Sequence, residues 1–245
     1  MKLKTILLSI LILIPIFCMS ETSRRQQIYH AYVSGNMDQW VSVVKEMEND
    51  ETIRTVSQKL ELVEYYYGLT PFYIDTKNEK MARITIQKAD LVLDKLLKND
   101  PKNPTAQAFK GAFIGFKLSL DKLKILTLGP ECLKHINLSY SIDPSNIQAL
   151  TDKANALFHA PKMFGGDKIE AVKLYQKSIV LMEKSNLSTN NWFYLNTLIL
   201  LAKAYVSIDK TNDAKIIYEK TLRKEPDFVW VKKVLYPRLL KQMTK

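Results

Sequence analysis

The chain has 245 residues, 47% of them hydrophobic, with 36 Lys+Arg against 25 Asp+Glu and a net charge of +11. That length and apolar content suffice to bury a core and exclude a disordered polymer. Only six basic residues are Arg (Arg24, Arg25, Arg54, Arg83, Arg223, Arg238), so the bidentate fork of nucleic-acid readers is scarce and no nucleic acid is expected. The scattered Lys read as a solvated surface, with weak attraction to an anionic envelope surface as the sharper alternative.

Residues 1–20 read as a cleaved signal peptide. Lys2 and Lys4 form a positive head, Thr5 to Met19 is almost entirely apolar, and Cys18 and Ser20 are small residues before a cut after Ser20. The run is short for a membrane anchor and is interrupted by Pro15. The rival reading is a lipoprotein modified on Cys18, which the bulky Phe17 disfavours. Without Lys2 and Lys4, the +11 becomes +9 for residues 21–245, a single domain. One cysteine, Cys132, is left there, so packing rather than an internal disulfide must hold the fold, and Cys132 is expected as a buried small hydrophobe. No later apolar run is long enough to span a membrane.

From residue 24 onward the apolar spacing is helical, at i, i+3, i+4 and i+7, and no run alternates as a strand would. Breaks at Gly35-Asn36, Asn49-Asp50, Asp75 to Asn78, Asn99 to Pro104, Leu128 to Pro130, Asp143-Pro144, Pro161 to Asp167, Ser185 to Asn191, Asp209 to Asn212 and Glu225-Pro226 divide it into about eleven helices. The first hairpin, Arg24 to Asn49, is the most degenerate. In the next helix, Leu62, Tyr66, Leu69 and Tyr73 make the expected buried stripe. Three consecutive helical residues span about 200°, so Tyr65, Tyr66 and Tyr67 cannot all face the core, and Tyr65 or Tyr67 should be left partly exposed. Ala108, Gly111, Ala112 and Gly115 line one face of a later helix, as close packing requires.

An acidic residue followed by Pro closes three segments, at Asp100-Pro101, Asp143-Pro144 and Glu225-Pro226. Twelve residues before each Pro stands a small residue (Ala89, Cys132, Ala214), and four beyond it a large one (Leu93, Ile136, Tyr218). Ala171 and Tyr175 repeat the pattern, with Glu183 in place of Pro. The small residue lets one helix approach the other; the large one fills the next turn.

Residues 195–228 carry the fullest unit: Leu198, Leu201, Ala202, Tyr205, Ala214, Tyr218 and Pro226. This resembles the tetratricopeptide signature Trp-x2-Leu-Gly-x2-Tyr, Ala-x3-Phe, Pro. The chain is thus expected to be all-α, a tetratricopeptide-like solenoid of about five hairpins and a final helix, Trp230 to Met243. The stretches Phe109 to Phe113, Leu128 to Pro130, Ile142 to Pro144, Asn191-Trp192 and Glu225-Pro226 resemble exported tetratricopeptide-like proteins of Gram-negative bacteria. That resemblance implies a periplasmic location, a non-catalytic scaffold and a protein or peptide partner in the envelope. First helices in such arrays line an inner groove, which places Tyr66, Tyr67, Asn155, Asn196 and Lys203 as groove candidates.

The long turn Pro161-Lys162-Met163-Phe164-Gly165-Gly166-Asp167 departs from an ordinary three-residue turn. Asp167 and Glu170 read as a capping box, and the glycines as positive φ or close backbone approach. The turn also resembles the T component of TRAP-type transporters, which implies the alternative of a small-molecule-binding accessory whose cavity this loop closes. His30, His135 and His159 have no partners at metal spacing, and neither a nucleophile elbow nor a phosphate loop occurs, so no enzyme, metal or cofactor is expected.

Overall fold

A computed structural model describes residues 24–244; the signal-like segment 1–20 lies outside the described residues. The elements are α1 (residues 24–34), α2 (Met37–Asn49), α3 (Val56–Asp75), α4 (Glu79–Asn99), α5 (Pro104–Leu120), α6 (Ile125–Ile142), α7 (Ile147–His159), α8 (Lys168–Lys184), α9 (Trp192–Val206), α10 (Thr211–Lys224) and α11 (Tyr236–Met243). They form an all-α array of five antiparallel hairpins and a final helix, tetratricopeptide-like in its packing. Within the final segment, Val231–Leu235 is a π-helical turn leading into α11.

Helix starts follow local chemistry. Thr55 and Gln58 form a reciprocal capping box at α3. Asn103, Asn146 and Asn191 cap α5, α7 and α9 with their side-chain oxygens. Lys77 and Asp209 adopt left-handed φ of 59° and 60° in two of the hairpin turns. One expected break is absent: Gly129 and Pro130 lie inside α6, which begins at Ile125 after a 3-10 turn, Lys122–Lys124. Pro130, the sixth residue of α6, forgoes one ladder hydrogen bond, to the Leu126 carbonyl, and α6 continues through it.

The repeated small–large pairs meet as expected. Ala89, Leu93, Ala171, Tyr175, Ala214 and Tyr218 are all buried. Gly111 brings α5 onto α6 so closely that a Cβ there would lie 2.7 Å from Ile136 Cδ1. Cys132 is only half-buried; its thiol donates to the Gly111 carbonyl at 3.2 Å, and burial raises its pKa to about 11.

The largest departure concerns α3. Tyr65, Tyr66 and Tyr67 are all buried, so none is left for solvent. A helix is covered on every side when it has neighbours on every side. Here α2, α4 and α5 pack on α3, and α9 reaches it through Phe193, whose ring lies 6.1 Å from that of Tyr67. Gly68 is the close-approach point. A Cβ there would meet Trp40 Cζ2 at 2.4 Å and Trp192 Cη2 at 3.1 Å, from α2 and α9. Trp40 also donates its indole N–H to the Tyr65 carbonyl at 3.1 Å.

The N-terminal hairpin closes the array against its far end. Tyr32 on α1 donates to Asn196 on α9 at 3.0 Å, and its ring packs on Trp192 and Phe228. Tyr29 donates to Glu225 at 2.7 Å, across 196 residues of chain. Gly68→Ala is therefore expected to destabilise the protein by about 1–3 kcal/mol in denaturant unfolding. Gly115→Ala, inside α5 and with only Cys132 Sγ of another helix near its Cβ, at 3.9 Å, is expected to be neutral or slightly stabilising.

Candidate binding surfaces

The hairpin path makes α3, α5, α7 and α9 run parallel, and their side chains converge inside the array. The Tyr67 ring touches Phe109, Phe113 and Phe116 of α5. Its hydroxyl donates to Asp152 at 2.9 Å and accepts from Asn155 at 2.9 Å, both on α7. Asn155 in turn accepts from Tyr175 at 2.6 Å, and Gln148 donates to the second Asp152 oxygen at 2.7 Å. The predicted groove positions are thus mutual partners in the interior. Tyr66 is buried and donates to Glu48 at 2.8 Å. Asn196 is spent on Tyr32. Lys203 alone keeps an exposed position, its ammonium 4.7 Å from the Trp230 ring centroid. Inward-facing aromatic side chains fill the space an open groove would need.

Asp152 is 1% exposed and faces no cation within this network, so burial raises its pKa to about 7 against the hydrogen bonds that pull it down. Gln148 and Asn155 share its face of α7, but the cover that buries Asp152 comes from Tyr67 on α3, 85 residues away, where spacing gives no sign of it.

A cavity of about 610 Å³ opens at the end where α3, α5, α7 and α9 begin. Its wall includes Leu60, Glu61 and Glu64 of α3, Thr105 of α5, Gln148 of α7 and Trp192 of α9, with Arg25 of α1 and the Asn186–Asn191 turn at its rim. Arg25 binds Glu61 at 2.8 Å, and Tyr65 donates to the same carboxylate at 2.6 Å. Glu64 has a pKa of about 7, raised first by burial and then by Glu61, and lowered by Arg25 and by the nearby Trp192 indole. That indole N–H falls outside hydrogen-bond geometry and is left without an acceptor.

No residue of 161–167 lines this cavity. The loop follows the opposite end of α7, about 18 Å away at 1.5 Å per helical residue. Its two glycines do separate jobs. Gly165 takes φ 84°, whereas a Cβ on Gly166 would lie 1.9 Å from the Ala160 carbonyl oxygen. Asp167 caps α8 by accepting from Ile169 and Glu170 N–H groups, but Glu170 binds Lys173 instead of completing a capping box. Pro161, Met163 and Phe164 are exposed.

That end of the array also carries the α5–α6 turn. Leu123 is 94% exposed and Leu126 75%, flanked by Lys122 and Lys124, and Met163 on the next hairpin is 82% exposed. Asn146 of α7 binds Thr105 of α5 at 2.9 Å, which fixes the starts of α5 and α7 side by side and so places both turns on one edge. Sequence spacing did not mark Leu123 and Leu126 as a surface.

Among the described residues no group of three or more His, Cys, Asp or Glu is placed to hold a metal ion. His135 shares a 2.5 Å hydrogen bond with Gln107, His30 packs against Tyr29, and His159 against Phe158. No helix among them is long and apolar enough to cross a membrane. No family model and no curated protein matches the sequence. A solved structure from the functional characterization of Pseudomonas aeruginosa pilF is similar, at 17% identity over 76% of this chain and 71% of that one, with a TM-score of 0.46.

The raised pKa of Asp152 has a definite sign. Its folded value lies above the ordinary 3.8, so its contribution is full below about pH 4 and is lost as pH rises towards 7. Unfolding free energy is expected to fall over that window by as much as roughly 4 kcal/mol from this group. Asp152→Asn, with Gln148 flipped to accept, should flatten that fall when denaturant unfolding is measured at pH 4, 5.5 and 7.

Proposed function

We infer that the protein is a non-catalytic interaction module of the cell envelope, exported to the periplasm of a Gram-negative bacterium. Its partner, a protein, docks on the edge formed by the α5–α6 and α7–α8 turns. The observation that carries this reading is the exposed apolar tip. Leu123 and Leu126 project into solvent while the interior is filled by the chain's own tyrosines and phenylalanines. Fully solvated leucines grouped beside a second apolar turn mark a contact surface, in contrast to singly scattered apolar residues. Lys122 and Lys124 beside them favour a partner with an acidic rim, or an envelope surface of negative charge, as a secondary contact.

Export is supported by the pattern of residues 1–20, and the packing-based core with one half-buried thiol suits an oxidising compartment. The small-molecule accessory reading loses its distinguishing support, since the 161–167 loop stands away from the cavity it was expected to close.

The test is a double substitution. Leu123→Ser with Leu126→Ser removes exposed apolar area only, so the melting midpoint should stay within about 2 °C of wild type. Photo-crosslinking from position 123 in the native envelope should give a discrete adduct with one protein, and the Leu126→Ser change should reduce it at least fivefold. An unchanged adduct would remove this edge as the contact.

A further inference from the structure

The cavity at the other end of the array has the chemistry of a site for a primary amine. Three ionisable groups of opposite sign line it: Arg25, Glu61 and Glu64. Arg25 and Glu61 satisfy each other at 2.8 Å. Glu64 is the surplus acid, half-buried, with the Trp192 indole beside it and the Arg25 charge, already bound to Glu61, acting on it from further off. Beside it the Trp192 indole, 95% buried, holds an N–H with no acceptor. A buried donor without a partner is rare and points to a missing group.

The helix starts around the cavity do not ask for an anion. Thr55, Asn103, Asn146 and Asn191 already accept from the first N–H groups of α3, α5, α7 and α9. The unmet need is instead a cationic donor for Glu64 and a neighbouring acceptor for Trp192. The walls add Tyr65, Phe109 and Phe193, rings suited to an ammonium and its alkyl stem.

We propose that the cavity binds the primary ammonium of a peptide, with Glu64 as its counter-ion and a neighbouring peptide carbonyl taken by the Trp192 N–H. The ammonium belongs to an N-terminus or to a lysine side chain; both present the same group beside a carbonyl-bearing backbone. This rests on the interaction-module reading and supplies its recognition chemistry. A cation arriving beside a half-neutral carboxyl ionises it fully, so the charge is created where it is used.

The experiment is calorimetric titration of the full chain with three tripeptides. One is trialanine amide with a free N-terminus, one is N-acetylated alanine–lysine–alanine amide, and one is N-acetylated trialanine amide with no amine. At least one amine peptide should bind no less than tenfold tighter than the fully capped one. Which amine binds identifies the source. Glu64→Gln should erase the preference without lowering the melting midpoint, and Glu64→Asp should retain part of it. Equal binding of all three peptides, binding of none, or a preference that survives Glu64→Gln would overturn the proposal. Loss of the partner adduct in the Leu123 and Leu126 variant leaves this titration unaffected, so the two readings fail separately.

Discussion

Everything in this array is arranged around α3, a helix with neighbours on all sides. Gly68 lets Trp40 and Trp192 meet over its backbone, and that contact joins the first hairpin to the fifth. Tyr67, one residue earlier, points the other way into α5 and α7. Large aromatic groups bury the most area per residue, and edge-on ring contacts add to it. Trp40, Trp192 and Tyr67, on the two sides of α3, turn an open spiral of hairpins into a closed body. Closure then decides function, because the concave surface that such hairpins expose elsewhere is here consumed by packing.

The parallel run of α3, α5, α7 and α9 gives the closed body two unlike ends. Their starts surround a cavity holding the Glu64 carboxyl and an indole N–H without an acceptor. Their finishes lead into turns that carry exposed Leu123, Leu126 and Met163. One end is concave and polar at its floor; the other is convex, apolar and lysine-flanked. A partner able to use both ends would have to wrap the body, so two separate contacts are the simpler arrangement.

Much of the architecture was legible in the sequence because it is local. The Asp-Pro stops, the small–large pairs and the side-chain caps act within one hairpin, and each appears where its spacing places it. The glycine pair of the 161–167 turn was legible too, as one positive φ and one close approach. What escaped was non-local. Nothing in the spacing of Tyr65, Tyr66 and Tyr67 says that a fourth neighbour, α9, covers the face an isolated hairpin leaves open. The pairing of Asn155 with Tyr67 and of Asn196 with Tyr32 follows from the same closure, as does that of Tyr29 with Glu225 far along the chain. Pro130 misled for the opposite reason: this local breaker costs α6 one ladder hydrogen bond and does not end it.

The central claim is the closure of α1 onto the last hairpin. Spin labels at His30 and Asp227, both exposed beside the Tyr29–Glu225 contact, in a Cys132→Ser background, test it by pulsed electron–electron distance measurement in solution. Closure predicts one narrow population at short range. A broad distribution extending to the separations of an open spiral would contradict it, and would restore the inner groove as the binding surface.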